Sequence, residues 1–511
     1  MTLQSAQLNP LFAAVVGLYL LVVVAIALYG FARTESEADF LVADRSVGPL
    51  VGGATLAATQ MSAGTLVGAF GIHYLFGVGF IWIWTGLWAG WLVSLVLVAP
   101  RLRQFGRVTL TDFIAARYAD DGGGGDYARA VSAFVIVVGY AVFLTAQVTA
   151  GGLVFQSVLG VPQPLGIGAM ALFSVVYTAV GGMRASVLTD LVQAVVMVVG
   201  ALLAVPLALQ VAGGIGTVNA VLGSFQPTLV GQAFSAADLI GFMAASAFYI
   251  VAAPDQVTRI YAMRDAATVR TAIGISLVLQ AVIAVTIALL GVTMRLLFPT
   301  LSTPDLAGVV MSQFLLGPVL GGLFVAAVLS AILSTIDSVL IVSAAGVAHD
   351  IYAMLIDPDA TERRKLWVNR AAVIVLGLVP VALALNRDLF GGLIQFIVIL
   401  LLSLLGSAFF APVLLGLHWR RANTPGGVAG MVVGFGTAVV WHVGTEVYAF
   451  LPTVFTRYIG DPVIPGVAAS FVAMVTVTLM TREPSLQSLA PFFDTTARDG
   501  GSELSAGRKQ E

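Results

Sequence analysis

The chain has 511 residues, 59% of them apolar and only 10% charged, with a formal net charge of −2 and no cysteine; its mean hydropathy is +1.00. Soluble domains run about 45–50% apolar and about 25% charged, so a water-soluble globular protein, a disordered chain and a basic nucleic-acid binder are excluded. The missing cysteines also remove disulfides, thiolate metal sites, iron–sulfur clusters and cysteine nucleophiles.

Segments apolar enough to cross the hydrocarbon core, which takes about 20 residues, lie near 11–32, 49–71, 80–100, 128–158, 165–181, 185–212, 234–252, 270–298, 308–345, 368–386, 391–416, 424–445 and 463–481. The expectation is an all-α polytopic membrane protein with thirteen transmembrane helices. The first segment starts at Leu11 without a basic flank or a small-residue cleavage site, so it is expected as a retained span. With the N-terminus outside, alternating loops place all of the 24 basic residues inside except Arg295, Arg387 and Arg457. An excess of Lys and Arg on the cytoplasmic side is what membrane insertion favours, so the reading is N-out, C-in in the plasma membrane. Residues 1–482 then form a single transporter-like domain. The loop Ala119–Asp126 is expected as a flexible acidic turn, and 483–511 as a disordered cytoplasmic tail too short for a signalling or nucleotide-binding domain.

Along the chain, polar residues inside spans mark where chemistry can sit. The second span carries Thr59, Gln60, Ser62, Gly64 and Thr65, a small and polar break in a hydrophobic helix. Asp190 falls just inside the sixth span, with no arginine close to it in sequence. The seventh span ends in Phe248–Gln256, where Pro254 interrupts a helix. Asp337 lies within a long apolar stretch beside Ser334, Thr335 and Ser338, and hydroxyls with a carboxylate suit a hard cation such as Na⁺. Intramembrane acids are costly and mark pathways or ion partners. Two broken helices in corresponding halves point to a binding site at the bilayer midplane. Spans 2–6 (48–212) and 7–11 (234–418) are five each, which makes the second set inverted relative to the first, and 424–481 adds two extra spans.

No nucleotide-binding, metalloprotease or serine-hydrolase motif occurs, so the chain is not expected to be an enzyme or an ATP-driven pump. The histidines His73, His349, His418 and His442 lack metal-ligand spacing and read as interfacial or loop residues. An ion gradient is the remaining energy source.

These residues resemble the sodium/solute symporter family, from about Phe40 to about Gly434. The carrying stretches are Phe40–Pro49, Tyr177–Ser186 with Thr189, Asp190 and Gln193, Ser334–Ser338, and Pro412–Trp419 with Gly426, Gly427 and Gly430. The resemblance implies a LeuT-like 5+5 inverted-repeat core and Na⁺ as coupling ion, with no organic cofactor. It implies a sodium site from the carbonyls of Ala58, Met61 and Ala331 and the hydroxyls of Ser334 and Thr335. A second cation site would use Asp190, Asp337 and Ser338. Asp337 stands where several members have serine, so two sodium ions, or one sodium and a proton, both fit.

The implied substrate pocket takes Gln60, Ser62 and Gly64, with Gln147, Ser246, Phe248, Tyr249 and Gln395 as further candidates. Proline carriers resemble this chain but have an acid in place of Gln60 and a tryptophan in place of Ser246. A neutral pocket lined by amides and hydroxyls suits a carboxylate, an amino acid, a vitamin or a sugar-like solute. The function expected is sodium-coupled symport of such a small organic solute into the cell by alternating access. The partners are that solute and the lipid bilayer, with a monomer sufficient. The alternatives are a sodium channel or uniporter, disfavoured by the single asymmetric polar cluster, and a transporter-like sensor.

Overall fold

The computed structural model describes residues 9–32, 36–42, 45–120, 123–222, 234–386, 392–452 and 458–493. Arg33, Arg387, Arg457, Arg498, Arg508 and Lys509, all used in the charge argument, lie outside them, as does the tail from residue 494. Among the described residues the fold is all-helical, apart from one isolated bridge between Val47 and Met263.

Eleven helices are long and apolar enough to cross a membrane. We number the elements α1 (Pro10–Phe31), α2 (Pro49–Gln60), α3 (Gly64–Phe76), α4 (Val78–Phe105), α5 (Leu110–Arg117), α6 (Gly124–Leu159), α7 (Gln163–Val211), α8 (Ala236–Val251), α9 (Pro254–Ala262), α10 (Ala266–Leu297), α11 (Pro318–Ile356), α12 (Glu362–Ala384), α13 (Ile394–His418), α14 (Thr424–Val447), α15 (Val463–Met480) and α16 (Leu486–Phe493). The count differs from the sequence expectation at two places. The second expected span is split into the short helices α2 and α3. The fifth and sixth run together as α7, 49 residues interrupted at Gly182, whose φ of 60° and ψ of −167° are not helical.

That interruption depends on glycine. The backbone conformation at Gly182 is one that residues with a Cβ avoid, and a Cβ there would come within 2.7 Å of the buried Phe40 ring. Elsewhere, the absence of a side chain lets helices touch. A Cβ on Gly86 in α4 would lie 2.1 Å from the Met243 carbonyl of α8, a contact typical of small-residue packing in membranes.

Among the described spans α13 and α11 are the best buried, and α11 packs against α7 and α1, with α6 and α12 alongside. The split helix α2 lies against α10, α7 and α11. Its N-terminal end is tied to the C-terminal end of α9: Val47 N–H donates to Ala262 O at 3.1 Å, and Arg264 N–H to Val47 O at 3.2 Å. The two interrupted segments are thus bonded to each other at those ends. Two loop expectations change. Gly124–Asp126 form the first turn of α6, and the tail begins with α16, whose Phe492 stacks on Phe105 at 4.8 Å between ring centres.

Two outcomes test this framework. Gly182→Ala should cost about 1–3 kcal/mol and lower the melting temperature. Gly168→Ala, which adds a methyl into open space, should leave it unchanged. The second concerns Asp461 before α15, which accepts hydrogen bonds from Ser403 Oγ (2.6 Å) and Val463 N–H (2.8 Å). Burial, with Asp238 nearby, pushes its carboxyl up to about 7 against those bonds. The folded state therefore takes up a proton there that the unfolded chain releases near pH 4. Stability from this group falls as pH rises from about 4 to about 7. Melting temperature should drop more between pH 5 and pH 8 in the parent protein than in Asp461→Asn.

Candidate functional site

The helix of α2 stops where its polar residues begin. Met61 N–H still bonds to Ala57 O at 2.8 Å, but Met61 itself leaves the helical region with ψ at 87°. The next donors turn elsewhere. Ala63 N–H goes to Gln147 Oε1 at 3.0 Å, Gly64 N–H to Ser62 Oγ at 3.0 Å, and Thr65 N–H to Ser62 O at 2.9 Å. Carbonyls at the end of α2 are released from the helical ladder, deep in a membrane-spanning body, and need other partners.

Those partners are hydroxyls of α11. Ser334 Oγ donates to Ala58 O at 3.0 Å and reaches Ala331 O at 3.2 Å. Thr335 Oγ1 lies 3.0 Å from Ala331 O and 3.3 Å from Thr59 O. Ala58, Ala331, Ser334 and Thr335, expected together, do converge, and Met61 sits buried at the break beside them. Thr59 O is an additional oxygen that sequence reasoning missed. This oxygen-rich cluster is chemically fit for a hard monovalent cation: carbonyls bear partial negative charge, and hydroxyls can turn a lone pair toward an ion.

One layer away sit the acids. Asp190 is fully buried, and its neutralising partner is Arg259, 69 positions away in sequence: Nη2 lies 3.1 Å from Asp190 Oδ2, with both side chains 0% exposed. The absence of a neighbouring arginine in sequence therefore does not carry over to space. Arg259 also donates to Thr55 Oγ1 (2.9 Å), Ser186 Oγ (3.2 Å) and Ser338 Oγ. Thr55 Oγ1 donates to Asp190 Oδ2 at 2.5 Å. Asp337 accepts from the Tyr177 phenol at 2.7 Å and from Ser338 Oγ at 3.2 Å, both neutral donors. Thr59 Oγ1 and Ser338 Oγ, 3.2 Å apart, join this network to the α2–α11 oxygens.

Beside the break lies a cavity between α2–α3, α4, α8 and α13. Gln60, Ser62, Gly64, Ser246, Tyr249 and Gln395 line it as expected. Two expectations are corrected. Gln147 is fully buried and holds Ala63 N–H behind the cavity wall. Phe248 turns away and packs on Phe410, 4.6 Å between ring centres. The sequence reading missed the apolar wall of Phe80, Trp84, Leu87 and Phe143, and it missed Asp255.

The histidine expectation also changes for His73 and His349, which are buried. His349 lies 3.3 Å from both Glu37 and Asp112, while Arg129 pairs with Asp112 at 2.7 Å and Asp350 at 2.8 Å. Burial alone would raise the Asp112 carboxyl, but His349 and Arg129 hold it well below the usual carboxylate range. Asp112, His349 and Asp350 are close enough to share a metal ion, yet Arg129 already supplies positive charge to both acids. The cluster ties α5 and α6 to the end of α11.

Comparison with known proteins agrees with this geometry. The family model described as the sodium:solute symporter family matches residues 40–434. The osmoregulated proline transporter OpuE of Bacillus subtilis (strain 168) is 28% identical over 488 residues, covering 93% of this chain and 96% of the relative. The sodium/proline symporter of Staphylococcus aureus (strain JH9) is 27% identical over 491 residues, 92% of each chain. Among solved structures, a Na⁺-coupled sialic acid symporter in a substrate-bound, outward-open state superposes with a TM-score of 0.77 at 19% identity, covering 94% of this chain and 100% of the other. That likeness places the fold.

The buried ion pair yields a direct test. Removing one partner of such a pair costs about 3–5 kcal/mol because the other charge is stranded. Asp190→Asn and Arg259→Gln should each lower thermal stability sharply, and the double variant should lose clearly less than the two single losses combined. Additive losses would show that the pair is not coupled.

Proposed function

The chain belongs to the sodium:solute symporter family, and from that premise we propose how its residues couple the two fluxes. It is a multi-pass membrane transporter, not an enzyme, and carries a small organic solute together with Na⁺. The sodium ion binds among the carbonyls of Ala58, Met61 and Ala331 and the hydroxyls of Ser334 and Thr335. The single observation that carries this assignment is the convergence of Ser334 and Thr335 on the carbonyls freed at the end of α2. A cation there screens those oxygens from one another and holds the break of α2–α3 against α11. Solute then binds in the adjoining cavity, against Gln60, Ser62, Ser246, Tyr249 and Gln395.

The two interruptions, after Gln60 and after Val251, support a reading of thirteen spans with a 5+5 inverted core. In this reading α2 and α3 together form one span, and α7 forms two on either side of Gly182. Residues 48–212 and 234–418 are the repeats, and 424–481 the two extra spans. The charge distribution supports an N-out, C-in orientation in the plasma membrane. For a second coupling cation, Asp190 is already held by Arg259. Asp337 with Ser338 remains as the carboxylate beside the sodium site that lacks a charged hydrogen-bond donor. The relatives are named for proline; this pocket differs from theirs in resembling proline carriers without the acid at Gln60 or the tryptophan at Ser246.

Energetically, one charge crossing about 100 mV gives about 2.3 kcal/mol. A tenfold sodium gradient adds about 1.4 kcal/mol, so a single Na⁺ supports roughly 500-fold accumulation. In proteoliposomes, solute uptake should require an inward Na⁺ gradient, and Thr335→Ala should raise the half-saturating Na⁺ concentration about two- to tenfold, the effect of one lost polar contact. Sodium-independent accumulation would contradict symport. An unchanged half-saturation would remove Thr335 from the site.

A further inference from the structure

The solute cavity contains a buried carboxyl group. Asp255, in the first turn of α9, lines it and is 1% exposed. Its Oδ1 is committed to the scaffold, accepting the phenols of Tyr249 (2.7 Å) and Tyr140 (2.9 Å), and its own N–H donates to the Tyr140 oxygen at 2.9 Å. Its Oδ2 has a single long contact, 3.3 Å to the Gln256 amide. No Lys or Arg is among the described residues lining the cavity. Arg259, one turn further along α9, directs Nε and Nη2 to Asp190, Thr55, Ser186 and Ser338, and is not among the lining residues.

Three further buried polar atoms bear on what fits. Gln395 Oε1 is an acceptor with no hydrogen-bond partner, on a cavity-lining side chain that is 6% exposed. Trp84 Nε1–H is a donor in the same condition and also lines the cavity. Gln147 Nε2, just behind the break, is a second unpartnered donor. A buried polar atom left unpaired costs free energy, so a solute that pairs these groups gains it back. Acceptors at Asp255 and Gln395 with a donor at Trp84, all lining the cavity, suit a ligand that carries both a cationic and an anionic group.

We propose that Asp255 sets the charge of the solute: the cavity takes a zwitterionic amino or imino acid, its ammonium at Asp255 and Gln395 and its carboxylate toward the Trp84 donor, and rejects the amine-free acid of the same shape. The inference rests on the symport reading and narrows it. An amine-free carboxylate would enter with its charge unmatched against Asp255, and like charges in a desolvated pocket repel strongly. The ring faces of Phe80 and Phe143 supply apolar contact for a small side chain. Asp255 thus stands in for the acid that this chain lacks at Gln60, on the helix that follows the second break.

The test uses the purified full chain in lipid nanodiscs, with solute-induced thermal stabilisation read in NaCl and in KCl. The panel is the standard amino acids, glycine betaine, glucose, and amine-free analogues including cyclopentanecarboxylate for proline and propionate for alanine. At least one amino or imino acid should stabilise the protein in NaCl, and its amine-free analogue should bind about ten- to hundredfold more weakly, the worth of a charge-assisted hydrogen bond. Asp255→Asn should reduce that discrimination to under about threefold, while Asp255→Glu keeps part of it. Equal binding of acid and analogue, binding confined to amine-free acids or glucose, no binding by any amine-bearing member, or unchanged discrimination in Asp255→Asn would each overturn the proposal. Stabilisation by Na⁺ alone is read in the same experiment. It should persist in Asp255→Asn and weaken in Ser334→Ala, so its absence in the parent protein would identify failure of the sodium reading instead.

Discussion

Backbone N–H and C=O groups in a membrane-spanning body must find partners inside the protein, because the hydrocarbon offers none. A continuous helix meets that demand internally; an interrupted one does not. The chain breaks its helices after Gln60 and after Val251, and much of the central architecture serves to satisfy what those breaks release. Gln147 takes an N–H, Ser62 takes three, and Ser334 and Thr335 of α11 donate to freed carbonyls. The Val47–Met263 bridge ties the two interrupted segments together at one end. The hydroxyls of α11 are therefore structural partners of the break, and in the proposed function they are also the ligands of the cation. Binding an ion there alters the same contacts that hold two helices together, which is how occupancy can be felt as a change of shape.

Charge is scarce in this chain, so where it is buried it is organised. Arg259 neutralises Asp190 and also donates to hydroxyls from three other positions through Nε and Nη2. Desolvating such a pair is expensive, and good geometry with extra hydrogen bonds is what makes it tolerable. Asp337 is held differently, by a phenol and a serine. Asp255 is anchored through Oδ1 by two phenols, with a longer contact from Gln256 to Oδ2. Away from the cavity, His349 and Arg129 share three carboxylates, drawing α5, α6 and α11 together.

Much of this was legible in the amino-acid order. Apolar run lengths located the spans, and the polar run Thr59–Thr65 located the first break, because hydropathy and small polar residues act locally. Ser334 and Thr335 were legible too, since hydroxyls beside an intramembrane acid carry a chemical meaning at short range. What was hidden depends on contacts far apart in sequence. Arg259 reads as a cytoplasmic-loop charge until folding brings it against Asp190. Asp255 reads as a helix-start residue beside Pro254 until Tyr140 and Tyr249 close around it. His349 looks interfacial until Glu37 and Asp112 arrive from separate segments. The turned-away Phe248 was missed for a different reason: side-chain direction follows from packing, which periodicity does not encode.

The central claim is that a sodium ion closes the gap between the broken second span and α11. Amide hydrogen exchange of the protein in nanodiscs, compared in NaCl and in KCl without solute, addresses it most directly. Slower exchange in sodium, concentrated in peptides spanning residues 57–66 and 330–338, is the predicted result. Identical exchange in the two salts across both segments, or protection confined to regions remote from them, would contradict it.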